Sequence, residues 1–151
     1  MTSVPVIRYD REVLIEFSAA YLRALGATAE EAAIVAEGIV TAASRWHPGK
    51  GQGLEKLFRL TIQTSDGGIQ NAAEFEVLMN TPAVAHVDGH KGYGYVIAAK
   101  AMTLAIEKAK NVGIGAVVVR HSNHYGQAGF HAEEATKAGM IGIVMTNARA
   151  E

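Results

Sequence analysis

The chain reads as an α/β protein, with a helical region over residues 1–70 followed by a mixed α/β region over residues 71–151 that is incomplete in this chain. Three observations predict this. Up to about residue 70 the apolar residues recur at helical spacing between cap signals, and beyond it short β-branched runs alternate with amphipathic helix patterns. The third is the stretch from Val117 to Gly126, where Val117, Val118 and Val119 predict a buried strand that ends abruptly in Arg120, His121, Ser122, Asn123 and His124. Packing alone does not require such a polar knot, and strand ends are where α/β enzymes place their chemistry.

Each element has its own signal. Asp10 is placed to cap a helix running to about Leu25, with Gly26 as the left-handed residue after its end. Thr28 and Glu31 form a capping-box pattern ahead of Ala32, Val35, Ala36, Ile39, Val40 and Ala43, which recur at helical spacing and predict a second helix stopping near Ser44. The loop WHPGKGQG follows, then Leu54, Leu57, Phe58 and Thr61 predict a third helix closed by the SDGG turn at residues 65–68. From Asn71 onward, strands over Phe75–Met79 and Ala83–Val87 flank the turn Asn80-Thr81-Pro82. A long helix presenting Ala98, Ala101, Met102, Ala105, Ile106 and Ala109 on one face comes next. A strand over Ile114–Val119, a helix from about Gln127 to Lys137 and a strand over Ile141–Met145 complete a β-β-α-β-α-β order. The chain then stops directly after a strand whose apolar character implies neighbours on both faces, so either a short tail closes the fold, or a longer polypeptide or a two-chain assembly is expected.

Composition narrows the function classes. At 151 residues and a formal net charge of −1, with acidic and basic residues interleaved, the chain has no electrostatic footprint for nucleic acid or an anionic membrane. The opening MTSVPVIRYDREV lacks the apolar core of a signal peptide, and no apolar run approaches the roughly 20 residues needed to span a bilayer, so a cytoplasmic location is expected. The absence of cysteine excludes disulfides, thiolate metal sites and a cysteine nucleophile.

His124 is predicted at the head of a helix, where backbone donors disfavour an imidazolium and suit proton transfer; the alternative is a structural histidine that fixes the turn. His121, His124 and His131 have a metal-like spacing, but no converging carboxylate motif accompanies them, and no metal is expected. The loop Gly49-Lys50-Gly51-Gln52-Gly53 lacks the hydroxyl residue and preceding strand of a phosphate loop. It reads either as a connection carrying Arg45, His47, Lys50, Gln52 and Lys56 towards a pocket or as a solvated loop. Gly92-Tyr93-Gly94 resembles the start of a dinucleotide fingerprint, but Ile97 stands where its third glycine belongs. Asp88-Gly89 reads as the turn ending a strand.

Taken in order, VDGHKGYG, the block AMTLAIEKAKNVGIGAVVVRHSNHYGQAGFHAEEATKAGMIGIVMTNA and the earlier helix ending in DGGI resemble the malate/L-lactate dehydrogenase family of the non-Rossmann type. That family includes ureidoglycolate dehydrogenases, diketogulonate reductases and cyclic-imine carboxylate reductases. The resemblance implies NAD- or NADP-dependent hydride transfer at C2 of a 2-hydroxy or 2-keto acid or a related imine. It also implies that residues 71–151 are the first part of a cofactor-binding domain, and that the protein works as a homo-oligomer, usually a dimer, or with a second chain that supplies the rest of the fold. His124 stands at the family's acid/base histidine, and Asn123, Gly126, Thr146, Asn147 and Ala148 stand where the cofactor is approached.

Where family members carry Ser-His-Gly followed three residues later by arginine, this chain has Gly51, Gln52, Gly53 and Lys56. Gln52 can donate a hydrogen bond to a carbonyl but cannot shuttle a proton, and Lys56 offers a point charge in place of a bidentate fork. The expected site therefore uses His124 as acid/base, Gln52 to polarise the reacting carbonyl, Lys56 with Arg45 to hold the substrate carboxylate, and His47 or Lys50 as a source of the missing acid. The competing expectation is a non-catalytic binding or assembly subunit that keeps the fold.

Overall fold

Elements form where the local chemistry closes their ends. The computed structural model describes residues 8–45 and 53–147. In these segments the order is α1 (Arg11–Ala24), α2 (Ala29–Ser44), α3 (Lys56–Ser65), β1 (Glu76–Asn80), β2 (Val84–Asp88), α4 (Gly94–Val112), β3 (Ala116–Arg120) and α5 (Ala128–Lys137). Asp10 caps α1 by accepting from Glu12 N at 2.8 Å, and Gly26 follows its end at φ +92°. The Thr28–Glu31 capping box is reciprocal, with Glu31 N donating to Thr28 Oγ1 at 3.1 Å and Thr28 N donating to Glu31 Oε2 at 2.9 Å. The second Glu31 oxygen accepts from Ala72 N at 2.9 Å, so this buried carboxylate ties the start of α2 to the entry of the second region.

One core joins the two regions. Leu22, Ala32, Val35, Ala36 and Ile39 from α1 and α2 pack with Leu57 and Leu60 of α3 and with Tyr93, Tyr95 and Val96 at the start of α4. The Tyr93 hydroxyl, fully enclosed, donates to Asn71 Oδ1 at 3.0 Å, and Asn71 Nδ2 donates to Leu25 O at 3.0 Å, which pairs the polar ends of both side chains. The sheet order is β1-β2-β3, antiparallel then parallel, with a register shift between Val77 and Met79. α4 is the crossover that a parallel pair requires, and Ala85 and Val87 of β2 are wholly buried. Lys108 of α4 is buried too, donating to Asn80 Oδ1 and to Thr81 O in the β1–β2 turn. No helix among the described residues is long and apolar enough to cross a membrane.

Helices α1, α2, α4 and α5 and both hairpin strands lie within a few residues of where the sequence predicts them, but three expectations are corrected. Ile141–Met145 is not a strand: residues 141–147 pair with no other strand among the described residues, and Ile141, Ile143 and Met145 are 91%, 74% and 85% exposed. Alternating apolar residues supply one face of a strand, whereas its ladder needs a neighbour. β3 is not buried, because it is an edge strand of this sheet and leaves Val118 59% exposed. Finally, α5 begins at Ala128 with Gln127 as its cap, so His124 lies in the preceding loop and not at the helix head. His47, Lys50, Gln52 and Ala148 lie outside the described residues.

Glu31→Ala removes a charged acceptor from two backbone N–H groups and is expected to cost about 3 kcal/mol, against about 1 kcal/mol for Thr28→Ala, which removes only the cap. Urea unfolding of the two variants measures the difference, and equal losses would contradict the tie to Ala72.

Candidate functional site

β2 and β3 are parallel and end side by side, at Asp88 and Arg120. The loops that leave them are stitched together. Gly89 N donates to Arg120 O at 3.0 Å and Lys91 N to His121 O at 2.7 Å. Asn123 Nδ2 lies within hydrogen-bond distance of three carbonyls, Lys91 O at 2.8 Å and Gly68 O and Gly92 O at 3.1 Å. His90, Lys91 and His121 all have positive φ, a conformation that is unfavourable for a side-chain-bearing residue and that this network holds in place. The buried Asp88 carboxylate is its electrostatic centre, accepting from His90 N at 2.9 Å and from Arg120 Nε and His121 Nδ1 at 2.8 Å each. These bonds, the backbone N–H of His90 foremost, hold the Asp88 carboxyl well below the usual carboxylate range. His90 in turn reaches Glu76 Oε2 at 2.7 Å, which raises its pKa.

Close approach explains two glycines. A Cβ on Gly94, the first residue of α4, would overlap the carbonyl of Asn123, and one on Gly126 would overlap the Tyr95 ring. Gly92-Tyr93-Gly94 thus serves the packing of α4 against the 123–126 loop. The imidazole of His131, buried in α5, donates from Nε2 to Tyr125 O at 2.8 Å, which anchors the same loop from behind; its Nδ1 has no partner. Burial lowers the His131 pKa, so the ring is held neutral.

His124 is presented on this loop. Its Nδ1 accepts from Gly126 N at 3.0 Å, and its Nε2 lies 3.5 Å from Nζ of Lys56, the first residue of α3. Lys56 is only 5% exposed. Although His124 as a residue is exposed, desolvation of its ring, then the charges of Lys56 and Arg59, push its pKa down. The Lys56 ammonium is also lowered, by burial first and then by Arg59, against an opposing effect of Glu55. Two residue types expected at the site from sequence, His124 and Lys56, are therefore brought together, on elements far apart in the chain.

The other expected residues are placed differently. Arg45 forms an ion pair with Glu133 of α5 at 2.6 Å. Asn123 has its amide engaged by the three carbonyls, and Gly126 supplies the N–H on His124. Thr146 and Asn147 are exposed at the end of the 141–147 segment. His121, His124 and His131 face three different partners, and no group of three potential metal ligands converges among the described residues. Sequence reasoning missed Arg59, although its i, i+3 spacing from Lys56 puts both on one side of α3. It also missed Asp88, which a strand-ending Asp-Gly conceals.

A family model described as malate/L-lactate dehydrogenase matches residues 9–151. The chain belongs to this family. It is 41% identical over 143 residues to a malate dehydrogenase of Pyrococcus abyssi, a match covering 95% of this chain and 39% of that protein. An L-sulfolactate dehydrogenase of Methanocaldococcus jannaschii is 38% identical, over 83% of this chain and 36% of its own length. Among solved structures, the malate dehydrogenase of Pyrococcus horikoshii OT3 superimposes with a TM-score of 0.84 at 38% identity, covering 88% of this chain and 38% of that one. The chain thus spans well under half the length of these relatives.

The neutral state of His131 gives a pH signature. Its folded pKa lies below the ordinary 6.5, so the unfolded chain binds the proton more readily. The stability it contributes is present above that value and is lost as pH falls through the folded pKa. Urea midpoints measured from pH 7 down to pH 5 are expected to fall more steeply for the native sequence than for His131→Asn; parallel slopes would contradict a neutral buried ring.

Proposed function

We propose that the chain forms the substrate side of an oxidoreductase that transfers a hydride to or from C2 of a 2-hydroxy or 2-keto acid, or a related imine. The observation that carries this reading is the convergence of the buried Lys56 ammonium and His124 Nε2, with Arg59 beside both. The charge of Arg59 and burial both disfavour the Lys56 ammonium, and the adjacent Glu55 offsets them only in part. A buried ammonium beside a second cation is electrostatically unfavourable, and an anionic oxygen ligand would stabilise it. In this reading Arg59 attracts the substrate carboxylate and the C2 oxygen lies against Lys56 and His124. The helical region to about residue 70 supplies Lys56, the region from residue 71 supplies His124, and the site forms where they meet.

The names of the relatives support a nicotinamide-dependent reaction, NAD or NADP. Bound at such a site, the cofactor would supply hydride transfer. Two features of the chain fit it: α5 opens without a side-chain cap, and a Cβ on Gly129 would meet open space, so first-turn amides can approach an oxygen of the cofactor. Thr146 and Asn147, exposed at the end of the 141–147 segment, offer further polar groups. The row Ile141, Ile143 and Met145 supports a further strand, from the same polypeptide, a second chain or a second copy, that would pair with this segment.

Calorimetric titration with pyruvate and oxaloacetate tests the reading. Saturable binding is expected, weakened about tenfold or more in Lys56→Gln by loss of one charge-assisted hydrogen bond. Binding that is equal in both proteins would remove Lys56 from the site and favour a non-catalytic assembly subunit.

A further inference from the structure

His124 and Lys56 face each other in a way that divides their roles, on the reading of the site given above. The Gly126 N–H occupies the Nδ1 lone pair of His124 at 3.0 Å. A neutral ring in that position carries its proton on Nε2. An imidazolium would carry a proton on Nδ1 as well, pointing at another N–H, and the bond to Gly126 would be lost. Nε2 is therefore a donor, 3.5 Å from the Lys56 Nζ, which as an ammonium is a donor too. Two donors cannot satisfy each other. An oxygen lying against both nitrogens satisfies them together.

We propose that Lys56 is the catalytic residue that gives and takes the proton of the C2 oxygen, and that His124 acts as a neutral imidazole whose Nε2–H polarises that oxygen. This reverses the division of labour expected from sequence, in which His124 moved the proton and Lys56 held a carboxylate. In the reducing direction the carbonyl oxygen takes a proton from Nζ and Lys56 becomes a neutral amine, while C2 would take the hydride that a reduced nicotinamide supplies on becoming oxidised. The amine regains a proton from water. In the oxidising direction the amine accepts the hydroxyl proton, and C2 would give its hydride to an oxidised nicotinamide.

The surroundings suit the exchange. Lys56 is 5% exposed, and its burial together with Arg59 outweighs the adjacent Glu55, so its ammonium yields a proton more readily than an exposed lysine. The same burial, with Lys56 and Arg59, disfavours charge on His124. An arginine, which the family resemblance places where this chain has Lys56, keeps its proton at any ordinary pH and could only bind. The lysine makes a proton transfer available where Gln52 stands in the position of the family histidine and cannot provide one.

The test is NMR of the chain labelled with 15N-histidine and 13C-lysine, titrated from pH 5 to pH 11, with and without oxamate as an unreactive mimic of a 2-keto acid. The expected result is an unprotonated Nδ1 and protonated Nε2 on His124 at pH 7, a Lys56 that titrates below the other lysines, and movement of both signals with oxamate. In Lys56→Arg, oxamate is expected to bind within about threefold of the native chain, with the His124 tautomer retained. An Nδ1–H tautomer or an imidazolium at pH 7, or a Lys56 that titrates with the exposed lysines, overturns the role assignment while leaving the site standing if oxamate moves both signals. Oxamate that moves neither signal overturns the site and the role assignment together.

Discussion

The seam between the loop after β2 and the loop after β3 is the constraint on which the rest depends. Three kinds of interaction close it: backbone bonds from Gly89 and Lys91 to Arg120 and His121, the Asn123 amide set among three carbonyls, and the contact of Gly94 with the Asn123 backbone. Each is short in range and intolerant of added volume, and together they leave the 123–126 loop one path. That path delivers His124 to the first residue of α3. The positive-φ residues His90, Lys91 and His121 show the cost of this geometry, and the Asp88 carboxylate offsets it by binding the ends of both strands.

Much of the fold was legible because its signals are local. Asp10, the Thr28–Glu31 pair and Gly26 mark helix ends through bonds made within a few residues, and the Asn80-Thr81-Pro82 turn fixes the hairpin, so strands were displaced by only one residue at each end. Ile141–Met145 failed because a strand is a relation between two segments, and its alternation says nothing about whether the neighbour is present. β3 reads as buried for a similar reason: Val117 to Val119 suit either an inner or an edge position.

The candidate site was suggested by residue types in the sequence, whereas its connections were hidden. The polar knot after β3 pointed to His124, but the tautomer set by Gly126 is a property of loop geometry that no spacing encodes. Lys56 was one of several polar residues on the glycine-rich loop until the family resemblance gave it a role, and Arg59 was overlooked although one helical turn separates them. Asp88 was read as punctuation because its partners, Arg120 and His121, are more than thirty residues away and reach it only through the parallel pairing of β2 with β3. Arg45 shows the converse: its charge suggested a substrate contact, whereas α5 supplies Glu133. A charge buried beside another of its own sign, as Lys56 is beside Arg59, is a more specific pointer to a candidate site than charge as such.

Amide hydrogen exchange at Gly126, compared between the native chain and Asn123→Ala, tests the central claim most directly. The account predicts a protected Gly126 amide in the native chain, because that N–H is held on His124 Nδ1, and loss of this protection in Asn123→Ala while the amides of α1 and α2 stay protected. A Gly126 amide that exchanges freely in the native chain, or one whose protection survives the loss of the Asn123 amide, would contradict it.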